Sequence, residues 1–125
     1  MRILLVEDSS AMRAFVRAAL EEDGDVVLTE APSGFEALRL LPRDKFDLVI
    51  TDINMPDING LEVIAFMRRS GSYRDTPLLI ISTEASVRDR ERAMALGGNA
   101  YLSKPFQPGE LREAVRKLRA SAPGG

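Results

Sequence analysis

The stretch Met1-Arg2-Ile3-Leu4-Leu5-Val6-Glu7-Asp8 places four consecutive apolar residues directly before two acidic ones. A short, unbroken run of branched apolar residues is typical of a β-strand that is covered on both faces, as in a parallel sheet. Similar runs recur along the chain at Val26–Leu28, Leu48–Ile50, Leu78–Ile81 and, more weakly, Ala100–Leu102. Together with Ile3–Val6, they predict five strands.

Amphipathic patterns with helical spacing follow each of these runs. The predicted inner faces are Met12, Phe15, Val16, Ala19 and Leu20; Phe35, Leu38 and Leu41; Leu61, Ile64 and Phe66 or Met67; and Leu111, Ala114, Val115 and Leu118. The predicted boundaries are Ser9 or Ser10 to near Gly24, a stop at Pro42, an N-cap at Asn59 with Gly71 past the end, Ala85 to Leu96, and a start at Pro108.

The alternation predicts an α/β fold of five successive βα units. Parallel strands need crossover helices, so the units build one open, doubly wound sheet with helices on both faces. No internal boundary or low-complexity segment interrupts the pattern. We therefore expect one domain over residues 1–120 and a flexible tail over residues 121–125.

Composition excludes several classes of function. The 125 residues contain no Cys and no His, which removes disulfides, thiol nucleophiles, cysteine zinc sites, Ser-His-Asp hydrolysis and phosphohistidine carriers. A net charge of −2 argues against direct binding to nucleic acid or to an anionic membrane. The run Ile3–Val6 is too short for a signal peptide and no span suits a bilayer, so we expect a cytoplasmic protein.

Polar residues follow four of the predicted strands, where an open α/β sheet places its site. They are Glu7 and Asp8, Asp52, Ser82 and Thr83, and Ser103 and Lys104. Any one of them alone is more typical of a cap or a turn. Two carboxylates 4 Å apart repel by about 4 kcal/mol at an effective dielectric of 20, so three on one edge favour a bound cation. Oxygen ligands without His or Cys favour Mg²⁺ before Ca²⁺.

Four blocks on these strand ends read VEDSS (6–10), DINMPDING (52–60), ISTEA (81–85) and YLSKPF (101–106). In content, order and spacing they resemble the receiver domain of two-component response regulators, and most closely the single-domain, CheY-like chemotaxis type. The resemblance spans essentially the whole chain. It implies a flavodoxin-like strand order of 2-1-3-4-5.

The resemblance also implies a role for each matching residue. Asp52 would accept a phosphoryl group from a sensor histidine kinase. Glu7, mainly through water, would bind Mg²⁺ together with Asp8, Asp52 and the backbone carbonyl of Asn54. Lys104 would pair with the Asp52 carboxylate and then with the phosphoryl oxygens.

Further roles concern signal transmission and turnover. Ser82 would move to the phosphoryl group and Tyr101 would follow it inward. Asn54, Thr83 and Glu84 would tune dephosphorylation, and the Lys104–Pro105 peptide would be cis. The protein would then be a phosphoacceptor rather than an enzyme, with autophosphorylation from small donors and autodephosphorylation.

Three other functions compete with this interpretation. A haloacid-dehalogenase-type hydrolase requires a second acid two residues after Asp52, where this chain has Asn54. A phosphorylation-independent, receiver-like interaction module is the main alternative, although such modules usually lose an acid or the lysine. A flavodoxin-like cofactor site lacks its Gly/Ser-rich phosphate loop here.

An output partner is expected on the face made by the fourth helix, fifth strand and fifth helix. Arg88 and Arg92 lie one turn apart, and Arg112, Arg116 and Arg119 form what we call the basic stripe of the fifth helix. None of the three has an acidic residue four positions on, which predicts an acidic or mixed partner surface. The alternative is a solvated basic face.

Overall fold

Strands and helices alternate along the chain without exception in the computed structural model, which describes residues 1–83 and 87–120. The elements are β1 (Arg2–Val6), α1 (Ser10–Glu21), β2 (Val27–Ala31), α2 (Gly34–Leu40), β3 (Leu48–Asp52), α3 (Gly60–Arg69), β4 (Leu78–Ser82), α4 (Val87–Leu96), β5 (Ala100–Ser103) and α5 (Pro108–Ala120).

The five strands form one parallel sheet in the order β2-β1-β3-β4-β5, which confirms the predicted fold class and strand order. Side chains of β1 alternate between the two faces. Ile3 and Leu5 pack with α1 and α5, whereas Leu4 and Val6 pack with α2, α3 and α4. Because both faces are covered, every residue of β3 and β4 is buried, which accounts for their unbroken apolar runs.

Side-chain caps define where the helices α1 and α3 begin. The Ser9 hydroxyl accepts a hydrogen bond from the Met12 amide at 3.2 Å, so α1 begins at Ser10. Asn59 caps α3 through the Leu61 amide at 2.8 Å, as predicted. Each cap satisfies a backbone donor that the first helical turn leaves free. The caps therefore fix where the chain leaves the strand ends.

The prediction that Phe15 and Phe35 lie on the inner faces of their helices is wrong. Phe35 is 62 % exposed, and α2 instead buries Gly34 and Ala37, followed by Leu41. A Cβ on Gly34 would lie only 2.5 Å from the Ile58 carbonyl oxygen, so α2 meets the loop before α3 through its glycine and Phe35 is turned outward. Phe15 is 36 % exposed and contacts Phe106 edge-on, with 5.7 Å between the ring centroids.

The second strand differs in its bounds from the prediction. It begins at Val27, one residue later than expected, and continues through Thr29 and Glu30 to Ala31. Ala31 pairs with Val6, the last residue of β1. Because β2 is an edge strand, polar residues are tolerated in it, and an apolar run alone underestimates its length. The predicted start of α4 at Ala85 and the predicted tail at 121–125 lie outside the described residues.

No helix among the described residues is both long enough and apolar enough to cross a bilayer.

Candidate functional site

Three carboxylates meet at the carboxyl ends of β1 and β3. Glu7, Asp8 and Asp52 each offer an oxygen atom, and these atoms lie within 4.8 Å of one another. Glu7 and Asp52 are buried, whereas Asp8 is exposed and leaves the cluster open to solvent on one side. A small set of oxygen donors with an open side fits a partly hydrated Mg²⁺ ion.

Lys104 brings a positive charge into this acidic cluster from the end of β5. Its ammonium nitrogen lies 2.5 Å from Glu7 Oε1 and 3.0 Å from Asp52 Oδ2. The Lys104 amide donates to the Ser82 carbonyl at 2.7 Å, and the peptide between Lys104 and Pro105 is cis. Lys104 therefore pairs with two of the three acids, Glu7 and Asp52.

The pKa values of Glu7 and Lys104 reflect this arrangement. Burial raises the pKa of Glu7 above its ordinary value, although hydrogen bonds from Lys104 and from the Ser9 amide act in the opposite direction. Burial acts to lower the pKa of Lys104, but the hydrogen bond to Glu7 and the charge of Asp52 outweigh it, so the pKa is raised. Lys104 is therefore charged at neutral pH.

The Ser82 hydroxyl, at the end of β4, lacks a partner. It is the only buried side-chain oxygen or nitrogen without a hydrogen bond in the part of the chain that the structure describes. Leaving such a group unsatisfied costs about 1–3 kcal/mol, so proteins seldom retain one without a use for it. An oxygen-rich ligand at the neighbouring carboxylates would supply the missing acceptor.

Of three other predicted site residues that the structure describes, only Asn54 has a contact with the cluster. The Asn54 amide donates to Asp52 Oδ1 at 3.3 Å, and Thr83 is exposed at the end of β4. Tyr101 is half-buried on β5, and the guanidinium of Arg90 lies over its ring at 5.0 Å from the centroid. Glu84 lies outside the described residues.

Sequence reasoning missed two residues beside the cluster. The Gly60 amide donates to the Ile53 carbonyl at 2.8 Å, and a Cβ on Gly60 would lie 2.0 Å from the Asp52 carbonyl oxygen. Only glycine therefore fits at position 60, directly behind Asp52. Arg13 donates from Nη1 to the Glu7 carbonyl at 2.8 Å. Arg13 could have been predicted from its position on the first turn of α1, because side chains there point back toward the preceding loop.

The basic stripe of α5 does not consist of free cations. Arg112 pairs with Glu22 at 3.1 Å, Arg119 pairs with Asp25 at 2.5 Å, and Arg116 pairs with Glu113. Two of these acids lie on the connection between α1 and β2, about ninety positions away in the sequence. The lack of acidic residues four positions on therefore does not leave these arginines unpaired, because Arg112 and Arg119 find partners on another element and Arg116 finds one three positions back. The acidic or mixed partner surface stays a prediction.

Comparison with known proteins identifies the relatives of this chain. The profile of the family described as "Response regulator receiver domain" matches residues 3–116. A chemotaxis protein CheY homolog from Campylobacter jejuni is 35% identical over 99% of this chain and 96% of its own length. The structure of CheY4 from Vibrio cholerae is similar, with a TM-score of 0.86 and 32% identity over 94% of this chain and 97% of that one.

A third relative bears on the acidic cluster. The receiver domain of a sensor histidine kinase from Pseudomonas aeruginosa has a TM-score of 0.88 and 29% identity, covering 96% of this chain and 98% of its own. Its structure holds a magnesium ion coordinated in the active-site cleft.

Proposed function

The chain belongs to the response regulator receiver domain family, and from this membership we propose that it is a signalling switch activated by phosphorylation of Asp52. It is CheY-like, and its phosphodonor would be a sensor histidine kinase of a two-component system. The observation that carries the proposal is the position of Asp52, which is nearly buried, lies among acids and is 3.0 Å from Lys104.

The transfer itself requires little covalent help from the protein. A carboxylate oxygen of Asp52 forms a bond to phosphorus while the N–P bond of the donor phosphohistidine breaks, and the electron pair of that bond returns to the imidazole. Such a step depends on positioning and on stabilising charge. Lys104 would contribute both, because its ammonium group can move from Glu7 and Asp52 to the incoming phosphoryl oxygens.

A magnesium ion is the cofactor of this proposal. Asp8, Asp52 and the backbone carbonyl of Asn54 would hold it, with Glu7 acting mainly through water. When bound, Mg²⁺ would offset the negative charge that the carboxylates and the phosphoryl group bring together. The donor chemistry of the cluster and the magnesium ion of the Pseudomonas relative support this assignment.

Signal transmission would begin at Ser82. A phosphoryl group on Asp52 offers acceptor oxygens to the unpartnered hydroxyl, and Tyr101 would move into the space that the serine leaves. The phosphoryl group shifts the equilibrium only as far as its contacts differ between the two conformations. The surface that changes would be the face of α4, β5 and α5, where an output protein would bind.

The remaining parts of the proposal follow the sequence. Residues 1–120 would act as one cytoplasmic receiver domain without direct binding to nucleic acid or membrane. Asn54, Thr83 and Glu84 would tune the rate at which the phosphoryl group is lost. Thr83→Ala would increase this rate, because a smaller side chain opens the path for water to Asp52. The protein would be a phosphoacceptor that reacts with small donors rather than an enzyme acting on separate substrates.

Incubation with acetyl phosphate and Mg²⁺ tests the assignment, with the acyl phosphate mapped by mass spectrometry. Label should appear on Asp52, disappear with EDTA and be absent from Asp52→Asn. Asp57→Asn is the matched control, since Asp57 belongs to the same block but caps α2 through the Phe35 amide at 3.0 Å. Label that persists in Asp52→Asn, or forms equally well in EDTA, would contradict the proposal.

A further inference from the structure

Arg13 links three elements at the edge of the acidic cluster. From α1, its Nη1 donates to the Glu7 carbonyl at 2.8 Å, and its Nε donates to Glu30 Oε1 on β2 at 3.0 Å. Its own backbone amide donates to the Ser9 carbonyl at 3.0 Å. The side chain is 18% exposed, so these contacts lie largely out of water. Arg13 therefore spans the loop that carries Glu7 and Asp8.

Glu30, the anchor of Arg13, is itself held in place. Its second oxygen accepts from Arg17 Nε at 2.6 Å, and Arg17 also pairs with Glu21 at 3.0 Å and donates to the Leu28 carbonyl at 3.2 Å. A carboxylate that accepts from two guanidinium groups has little freedom to move. The guanidinium group of Arg13 is thus fixed where it contacts Glu30, and its Nη1 in turn fixes the Glu7 carbonyl.

The Glu7 carbonyl belongs to the peptide unit that joins Glu7 to Asp8, so its direction determines where the Asp8 backbone continues. The other sides of Glu7 are also bonded. Its amide donates to the Ala31 carbonyl at 3.0 Å, and its Oε2 accepts from the Ser9 amide at 3.0 Å. Without Arg13, the carbonyl side of this peptide unit would lose its side-chain restraint.

We propose that Arg13, anchored by Glu30, is a positioning residue that holds the Glu7–Asp8 peptide in the orientation required for binding a divalent cation. The proposal rests on the proposed function, since it concerns the same cation site. It extends that function to Arg13, which lies outside the cluster and is positively charged, whereas the three residues of the cluster are acidic.

Charge and position predict opposite effects, which makes the proposal testable. If Arg13 acted only through its charge, Arg13→Gln would remove a cation near the site and strengthen Mg²⁺ binding. If it acts by positioning, the same variant weakens binding. Arg13→Lys keeps the charge but loses the planar fork that reaches both Glu7 and Glu30, so it weakens binding only if position matters.

The experiment is an NMR titration of the unphosphorylated, full chain with MgCl₂, with hydrogen exchange of the Ser9 amide measured on the same samples before metal is added. We expect Arg13→Gln to weaken Mg²⁺ binding about tenfold, the lower end of the range for groups that orient metal ligands. Arg13→Lys should change it in the same direction, and Ser9 exchange should accelerate in both variants.

Arg17→Gln is the matched control, because it removes the same charge from the same Glu30 without touching Glu7. Because Arg17 helps to hold Glu30 but makes no bond to the Glu7 carbonyl, Arg17→Gln should lose clearly less Mg²⁺ affinity than Arg13→Gln. The positioning role is overturned if Arg13→Gln binds Mg²⁺ as tightly as the native chain or more tightly, or if Arg17→Gln loses as much affinity. Absence of Mg²⁺ binding in the native chain would instead overturn the proposed function, and unchanged Ser9 exchange in both Arg13 variants would still count against the positioning role.

Discussion

The ammonium nitrogen of Lys104 lies 3.0 Å from Asp52 Oδ2, although the two residues are 52 positions apart in the chain. Two strands, β4 and β5, separate the end of β3 from the lysine in the sequence, and the sheet brings them back to one edge. Because the same nitrogen also contacts Glu7, one cation stabilises two nearly buried carboxylates. The fold and the charge balance of the site therefore depend on each other.

Lys104→Met should destabilise the protein at pH 7 by about 3 kcal/mol, because it leaves two carboxylates without their cation. Urea unfolding measures the loss. Asp52→Asn should change the stability by less than about 1 kcal/mol, because Lys104 keeps Glu7 as a partner. The double variant should lose less than Lys104→Met alone, since one of the two stranded charges is gone. Full stability of Lys104→Met would show that the cluster does not need the lysine.

Gly60→Ala should disrupt the region behind Asp52. The added carbon would lie 2.0 Å from the Asp52 carbonyl oxygen, and a backbone atom cannot move aside cheaply. We expect a loss of about 3 kcal/mol or more, together with slower phosphorylation by acetyl phosphate. Gly109→Ala in α5 is the control, because a Cβ there meets nothing within 4 Å, and it should stabilise the helix by about 0.5–1 kcal/mol. Equal unfolding midpoints for the two variants would contradict the prediction.

Ser82→Ala should separate stability from signalling. Removing the unpartnered hydroxyl should stabilise the unphosphorylated protein by about 1 kcal/mol. The variant should still accept a phosphoryl group on Asp52, but the group should no longer increase affinity for the output partner. A pull-down with and without beryllofluoride, an acyl-phosphate mimic, identifies that partner. Normal activated binding by Ser82→Ala would exclude the serine from the coupling.

Tyr73 should make the fold sensitive to alkaline pH. Its hydroxyl oxygen lies 2.8 Å from the Leu41 carbonyl oxygen and 2.5 Å from the Asp44 carbonyl oxygen, and the two carbonyls share its single proton. Burial raises the pKa of Tyr73 above its ordinary value. The folded state keeps its proton where the unfolded chain loses it, above about pH 10, so stability falls as pH rises through that range.

Tyr73→Phe should cost about 1–3 kcal/mol at pH 7, because the two carbonyls lose the hydroxyl proton that they share. Between about pH 9 and pH 11 it should lose less additional stability than the native chain, since it has no phenol to ionise. Urea unfolding at both pH values measures this difference. A parallel decline in the two proteins would show that other groups, not Tyr73, set the alkaline limit.

Most of the fold could be predicted from the sequence, because both faces of the sheet are covered and its central strands are therefore apolar throughout most of their length. Unbroken apolar runs such as Leu48–Ile50 mark the central strands, and the polar residues that follow them meet at one edge by the geometry of parallel sheets. The edge strand β2 was underestimated because Thr29 and Glu30 are polar. Apolar content identifies strands only where burial demands it.

Contacts between distant elements explain the remaining errors. Spacing alone could not distinguish a helix face led by Phe35 from one led by Gly34, since the deciding fact is the approach of Ile58. The cations of the basic stripe find their partners on the α1–β2 connection in the same way. Arg13 belongs to this class too, since its bond to the Glu7 carbonyl exists only once α1 packs beside β2.

The location of Lys104 at the end of β5 also has a consequence for how the protein is made. During synthesis from the amino terminus, the ribosome adds Glu7, Asp8 and Asp52 well before the lysine, 97 positions after Glu7, that balances their charge. A nascent chain that has added β1 to β4 already contains the acids and the Ser82 hydroxyl without their cation. A chain that stops before residue 104 therefore lacks the cation with which Glu7 and Asp52 pair in the folded protein. Addition of the last strand and its lysine is the translational event that completes the site.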